Sequence, residues 1–211
     1  IIIAALNETG RKQMNKILSE ANRSGFYRRA RLDLELLLSF DPDNVIITSA
    51  CIAGWWYDDA EEIMLTLFEH FGNHFYLEVQ AHNTESQREL NNRIKKLHNM
   101  HKIPLIYGCD SHYIYEEDAQ ERTDFLYSKE IEYPDEEGWY LDYPDGDTVY
   151  KRFVEQGVLS HDEIMEALEN TNVFLQVEDY HSDIFNQEIK LPTLYPNLTQ
   201  EQKDKKYQSL V

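Results

Sequence analysis

The sequence predicts an α/β fold, a parallel sheet or βα barrel dressed with helices. Three observations carry this. Short apolar runs alternate with segments of helical periodicity along the first 129 residues. The runs are apolar throughout rather than alternating with polar residues, as strands covered on both faces are. Each helical segment opens on a capping residue or closes on glycine.

The elements follow in order. Residues 1–6 read as a strand. Asn7 caps a helix whose apolar positions Met14, Ile17, Leu18 and Ala21 recur at helical spacing, and Gly25 ends it. Asp33 caps a short helix reaching Leu38. Residues 44–50 form a buried strand, 58–71 a helix stopped by Gly72, and 75–79 the next strand. Thr84 and Gln87 make a capping box for a helix to about Met100. A strand over 103–107 and a helix over 116–129 complete the alternation. From 130 the composition changes: "IEYPDEEGWYLDYPDGD" is rich in Tyr, Pro, Gly and acids and reads as a long connection. A helix over 147–156 follows. Ser160 and Glu163 box a further helix reaching 177, "LPTLYPN" is extended, and a last helix starts at Thr199. The predicted organisation is therefore a barrel portion over 1–129, an acidic connection with flanking helices over 130–190, and a linker opening a following region over 191–211. The apolar start and the helix without a stop signal read as a segment of a longer chain.

Composition narrows the function. Of 211 residues, 42% are hydrophobic, enough for a substantial core. No run of 18 apolar residues offers a membrane span. The formal charge of −19 argues against a free-standing nucleic-acid binder, since phosphate contacts need Lys and Arg. Charge is uneven, however. Arg23, Arg28, Arg29 and Arg31 fall in a stretch whose single acid is Glu20, a candidate phosphate-facing patch or simply a solvated surface. Two cysteines make no disulfide framework, and a reducing, cytoplasmic compartment is the default. No G-x-G-x-x-G, P-loop or G-x-S-x-G is present, so dinucleotide, P-loop and serine-nucleophile chemistry lack support.

What stands out is the end of the strand in "IPLIYGCDSHYI". Parallel βα barrels carry their sites where strands exit at their C-terminal ends. Strand 44–50 runs into Cys51, and strand 103–107 into Asp110 and His112. In an extended segment the Asp-x-His spacing puts both side chains on one side, with Cys109 and Ser111 on the other. A thiolate, carboxylate and imidazole converging there suit zinc, manganese or iron. Each residue also has a structural reading: a buried small Cys, a turn-holding Asp, a loop-capping His. Glu78 and His82, on and after the strand between, are second-tier candidates, Glu78 reading more simply as a hydrogen-bonded partner of a loop backbone. The aromatic run 139–143 reads as loop packing before base stacking.

The blocks "GFYRRARLDLELL", "VIITSACIAG", "FYLEVQ", "IPLIYGCDSHYI" and "ALENTNVF" with "KLPTLYP", in this order, resemble the PHP domain of the bacterial C-family DNA polymerase III α subunit. The acidic "EEGWYLDYPDGD" is the least family-like part and suits a divergent, phage-encoded relative. The resemblance implies a distorted βα barrel missing its first strands, with a C-terminal helical extension. It implies metal ligation by Cys51, Asp110 and His112, six further ligands ahead of Ile1, and polymerase carboxylates that use Mg beyond Val211. This segment alone is then expected to be inactive. Implied partners are DNA, a sliding clamp, a loader and a proofreading subunit, with a metal-dependent 3′–5′ exonuclease role for an intact site. The alternatives are a stand-alone PHP phosphoesterase and a non-catalytic replisome scaffold.

Overall fold

A computed structural model of the chain describes residues 1–55, 57–133, 138–178 and 195–209. It divides into two compact units, Ile1–Glu178 and Asp179–Val211. In the first, four strands form one open sheet in the order β1 (Ile2–Ala5), β2 (Val45–Thr48), β3 (Phe75–Val79), β4 (Leu105–Tyr107). Its helices are α1 (Glu8–Arg23), α2 (Leu34–Leu38), α3 (Ala60–Phe71), α4 (Glu85–His101), α5 (Ala119–Ser128), α6 (Gly146–Gln156) and α7 (His161–Glu169).

The α/β class holds, and β2, β3 and β4 are parallel. The expectation of an all-parallel sheet fails at β1, which pairs antiparallel with β2, Ile2 opposite Thr48 and Ala5 opposite Val45. The reason lies in the connection. Between β2 and β3, and between β3 and β4, one long helix carries the chain back to start the next strand in the same direction. After β1 the chain leaves along α1 and returns through α2 to the end it left. Asn7 Nδ2 donates to Asn44 Oδ1 at 2.8 Å, joining the start of α1 to the start of β2. Among the described residues the sheet does not close into a barrel.

The helices form where sequence chemistry directs. Asn7, Asp33, Thr84, Asp145 and Ser160 each accept a backbone N–H of the first turn. The Ser160–Glu163 box is complete, whereas Gln87 turns away from its cap and donates to Asn91. The predicted helix over 116–129 starts as a 3-10 turn, Glu116–Asp118, and α7 gives way to a 3-10 run, Asn170–Gln176.

The two sheet faces are unequal. Val45, Ile47, Phe75, Leu77, Val79 and Leu105 pack on the helical layer, with Leu67, Ile94, Phe153 and Ile164 among their buried partners. Burying each such side chain contributes about 1.5–3 kcal/mol. The opposite face carries Ile46, Tyr76 and Ile106, joined by Leu6 and Val173 in a much smaller cluster. Strand periodicity places Thr48 and Glu78 on this second face.

In the second unit α8 (Gln200–Gln208) opens on a complete Thr199–Gln202 box. The expected extended stretch "LPTLYPN" lies outside the described residues over 191–194. Residues 195–198 instead turn, closed by Leu198 N–H to Tyr195 O at 3.1 Å.

Candidate functional site

Three strand exits meet at one cavity of about 310 Å³, lined among others by Thr48, Cys51, Glu78, Gln80, Cys109 and Asp110. A larger cavity of about 570 Å³ shares Tyr107 and Cys109 with it but is lined mainly by Tyr143, Pro144, Val149, Tyr150, Met165 and Leu168. The smaller cavity is the candidate site, because it gathers Cys51, Glu78 and Asp110 from three strand ends.

Glu78 lies on β3 itself and is 5% exposed. Its Oε2 accepts from the Thr48 hydroxyl at 2.7 Å and its Oε1 from Gln80 Nε2 at 3.0 Å. These are side chains, not the loop backbone the sequence suggested. Burial pushes its pKa above the ordinary carboxylate range, and the nearby Asp110 adds to that, against the two hydrogen bonds. The carboxylate passes directly over Gly108, where a Cβ would sit 2.0 Å from Oε1. The glycine in "YGCD" is there for this space.

Asp110 stands at the mouth, its side chain 35% exposed. Its backbone is left-handed, φ +55°, as is that of Ala50 ahead of Cys51, φ +57°. This overturns the extended reading of Asp110-x-His112. A left-handed residue breaks the alternation that would align the two side chains, and Cys109, expected to point away, lines the cavity instead. His112 is exposed and lies outside that lining, its Nδ1 2.8 Å from the Asp110 carbonyl oxygen. It still acts at a distance: its charge lowers the pKa of Asp110, which burial raises.

His82 is 2% exposed, with Nε2 3.8 Å from Asp110 Oδ2. Burial, then the charges of Arg152 and His112, depress its pKa to about 4, so the ring is neutral near pH 7. Tyr140 N–H donates to its Nδ1 at 3.0 Å, and Trp139 packs against the ring at 4.5 Å. Among the described residues Nε2 has no hydrogen-bond partner. A buried amide cluster holds its backbone: Gln156 Nε2 donates to the carbonyls of Gln80 and His82, and Asn91 Nδ2 to Gln80 O and Gln156 Oε1.

Sequence reading missed the clamp that completes the site. Residues 138–143 run beside the β4 exit. Leu141 O accepts from the His112 and Tyr113 N–H groups, Gly138 O from Asn83 N–H, and Ile114 O from Tyr143 N–H. Arg152 pins the clamp with two bonds to Asp142, 2.8 and 2.9 Å, and lies 4.2 Å over the Tyr140 ring. The aromatic run thus packs as expected at Trp139, Tyr140 and Leu141, while Tyr143 is exposed. The amide cluster did leave a signal: Gln87 and Asn91 share a helix stripe with Leu90 and Ile94, polar residues on a buried face.

The basic stretch lies apart from the residues of the cavity lining. Arg23 pairs with Glu20 at 2.7 Å. Arg28 and Arg31 lie over the exposed Tyr27 ring at 5.7 and 5.1 Å, and Arg29 bridges backbone with Tyr27.

Comparison with known proteins gives this geometry a context. No protein-family model matches the chain. The DNA polymerase III subunit alpha of Borreliella burgdorferi is 37% identical over 127 residues, covering 56% of this chain and 11% of that protein. The corresponding Aquifex aeolicus subunit is 30% identical over 131 residues, 58% of this chain and 11% of that protein.

The chain is similar to DNA polymerase III α subunits.

The DNA-directed DNA polymerase of Bacillus phage SPbeta is 26% identical over 161 residues, 62% of this chain and 12% of its own length. The resemblance read from the motif blocks is borne out by these relatives. The chain spans about a tenth of the length of the curated relatives it matches. No helix of the described residues is long and apolar enough to cross a membrane.

A metal at the cavity finds suitable donor types but an incomplete set. Cys51 and Asp110 line one cavity, and the buried His82 Nε2 lies 3.8 Å from Asp110 Oδ2. Among the described residues, however, no three His, Cys, Asp or Glu side chains converge as a metal requires.

Proposed function

We propose that the chain is a PHP-type segment of a replicative DNA polymerase III α subunit. The 37% identity over 127 residues to such a subunit carries this reading. The parent protein would be a DNA-directed DNA polymerase using Mg, cytoplasmic, acting on DNA with a clamp, a loader and a proofreading subunit.

Within it, the sheet would be part of a distorted barrel. The support is the inequality of its faces: the face bearing Thr48 and Glu78 has only a small apolar cluster, as an inner barrel face does before closing strands cover it. At the strand ends Cys51 and Asp110, with His112 after a rearrangement of its loop, would hold zinc, manganese or iron together with ligands from elsewhere in the parent protein. Such a metal would supply Lewis-acid activation of water for 3′–5′ phosphodiester hydrolysis. Around it, Glu78 braces the β2 and β3 ends through Thr48 and Gln80, while the clamp 138–143 fixes the β4 exit. Arg28, Arg29 and Arg31 would offer phosphate contacts.

The exposed His112, outside the cavity lining, favours a second reading, a barrel kept as a scaffold within the polymerase. Metal analysis of the full-length parent protein, with hydrolysis of a 3′-labelled primer, separates the two. Bound metal and 3′ cleavage, both reduced at least tenfold in Cys51→Ser, support the metal site. Metal-free protein with intact polymerase activity establishes the scaffold. A parent protein without DNA synthesis overturns the polymerase reading itself.

A further inference from the structure

We propose that His82 is a positioning residue whose Nε2–H holds the Asp110 carboxylate, and that it is not a metal ligand. The argument begins with a proton. A backbone N–H can only donate, so Tyr140 N–H at 3.0 Å from His82 Nδ1 requires a lone pair there. A neutral imidazole with its lone pair on Nδ1 carries its hydrogen on Nε2. The same bond excludes a doubly protonated ring, which has no lone pair on Nδ1 to accept the Tyr140 N–H. The hydrogen-bond network therefore presents a buried N–H donor at Nε2 with no hydrogen-bond partner among the described residues. The nearest carboxylate is Asp110, 3.8 Å away on a side chain free enough to close the gap by a small rotation or through one water.

The same logic excludes direct ligation. Metal-bound histidine uses the lone pair of one nitrogen and donates from the other. Here Nε2 would have to lose its proton to Nδ1, which would then confront the Tyr140 N–H with a second donor inside a packed wall. Trp139 against the ring, and Gln156 on the His82 carbonyl, leave little room to swing away. Asp110 needs such a partner. Its left-handed backbone leaves the carboxylate on a turn, without a regular strand to aim it. A donor on one oxygen leaves the other facing the cavity.

The tautomer and the Asp110 pairing stand on the geometry alone, while the consequence for metal affinity rests on the metal reading above. The test separates the two. In the 211-residue chain labelled with 15N-histidine, long-range 1H–15N spectra at pH 7 should show His82 as the Nε2–H form, and Asp110→Asn should shift that Nε2 signal. An Nδ1–H pattern, or a signal indifferent to Asp110→Asn, overturns the proposal whether or not metal binds. In the full-length parent protein, zinc affinity is then compared in two variants. His82→Gln keeps a donor at the ε position, and His82→Asn keeps only the group facing Tyr140. The expected result is a loss of about 10–100-fold in Asn and near-recovery in Gln. A purely structural role reverses that order, and equal abolition in both assigns His82 as a ligand; either result sinks the proposal. If the parent protein binds no zinc at all, the metal reading falls, and the spectra alone decide the role of His82.

Discussion

The interior between sheet and helices and the rim at the strand ends belong to one compact unit but obey different rules. In the interior, Phe75, Leu77, Leu67, Ile94, Leu105 and Phe153 have essentially no exposed surface and are apolar throughout. At the rim, a few residues away along the same strands, stand a buried carboxylate with a raised pKa, a histidine with an orphan nitrogen, and two left-handed non-glycine residues. Each rim feature costs stability that the interior offsets. That division, burial for strength and unsatisfied polarity for chemistry, marks the rim as a site rather than a poorly packed edge.

Breaking the interior should give the largest effect. Phe153→Ala is expected to cost about 3–5 kcal/mol, seen as a fall in the urea midpoint with little change in slope. A loss under 1 kcal/mol would mean that α6 is not part of the shared core.

At the rim, Gly108→Ala drives a Cβ into Glu78 and should cost about 1–3 kcal/mol. In a Glu78→Ala background the space is vacant, so most of that cost should vanish. A double-mutant cycle showing no coupling would refute the close approach.

How far the sequence foretold these regions differs in the same way. Interior elements were legible because their signals are local: Phe75–Val79 was bounded by Gly72 and a polar exit, and Asn7, Asp33 and Ser160 announced their helices through caps they do form. The rim residues Cys51, Glu78 and Asp110 were singled out from the sequence as candidates, and three strand ends bring them to one cavity. Their geometry was not legible. The direction of β1 depends on where a two-helix excursion returns. The departure of His112 depends on the left-handed Asp110, which nothing in "CDSH" demands. The clamp at 138–143 pairs residues distant in sequence, in a stretch that composition marks only as loop. The expected linker over 191–211 falls in the second unit, where residues 195–209 are described.

Outside both regions, on α7, Glu163 is a buried charge held by Lys95, Asn99 and Ser160. Burial opposes its ionisation, but the Ser160 N–H, the Lys95 ammonium, the Ser160 hydroxyl and Asn99 outweigh it and depress its pKa from 4.5 to about 2. A carboxyl with a depressed folded-state pKa contributes stability that is fully present above the unfolded value and is lost as pH falls through the folded one. Wild type should therefore lose stability between about pH 4.5 and pH 2 by this route. Glu163→Gln should cost about 0.5–1.5 kcal/mol at pH 7 and match wild type near pH 2, as thermal melts across that range would show. Parallel pH profiles would discard the ion pair as a contributor.

The smallest expected effect runs the other way. Ala50→Gly removes the steric penalty of a left-handed alanine and should stabilise the chain by about 0.5–1 kcal/mol, a rise of a few degrees in Tm. A destabilised variant would show that the strand exit is not strained there.

The bond from Tyr140 to His82 also imposes a chronology. It joins residues 58 positions apart, so a nascent chain that has left the ribosome only as far as β4 has every strand of this sheet yet lacks the amide that sets the ring's proton. Until residue 140 emerges, the amide that sets the His82 tautomer is not there to do so. Synthesis of the clamp supplies it, and the site's protonation becomes a record that the domain has been finished.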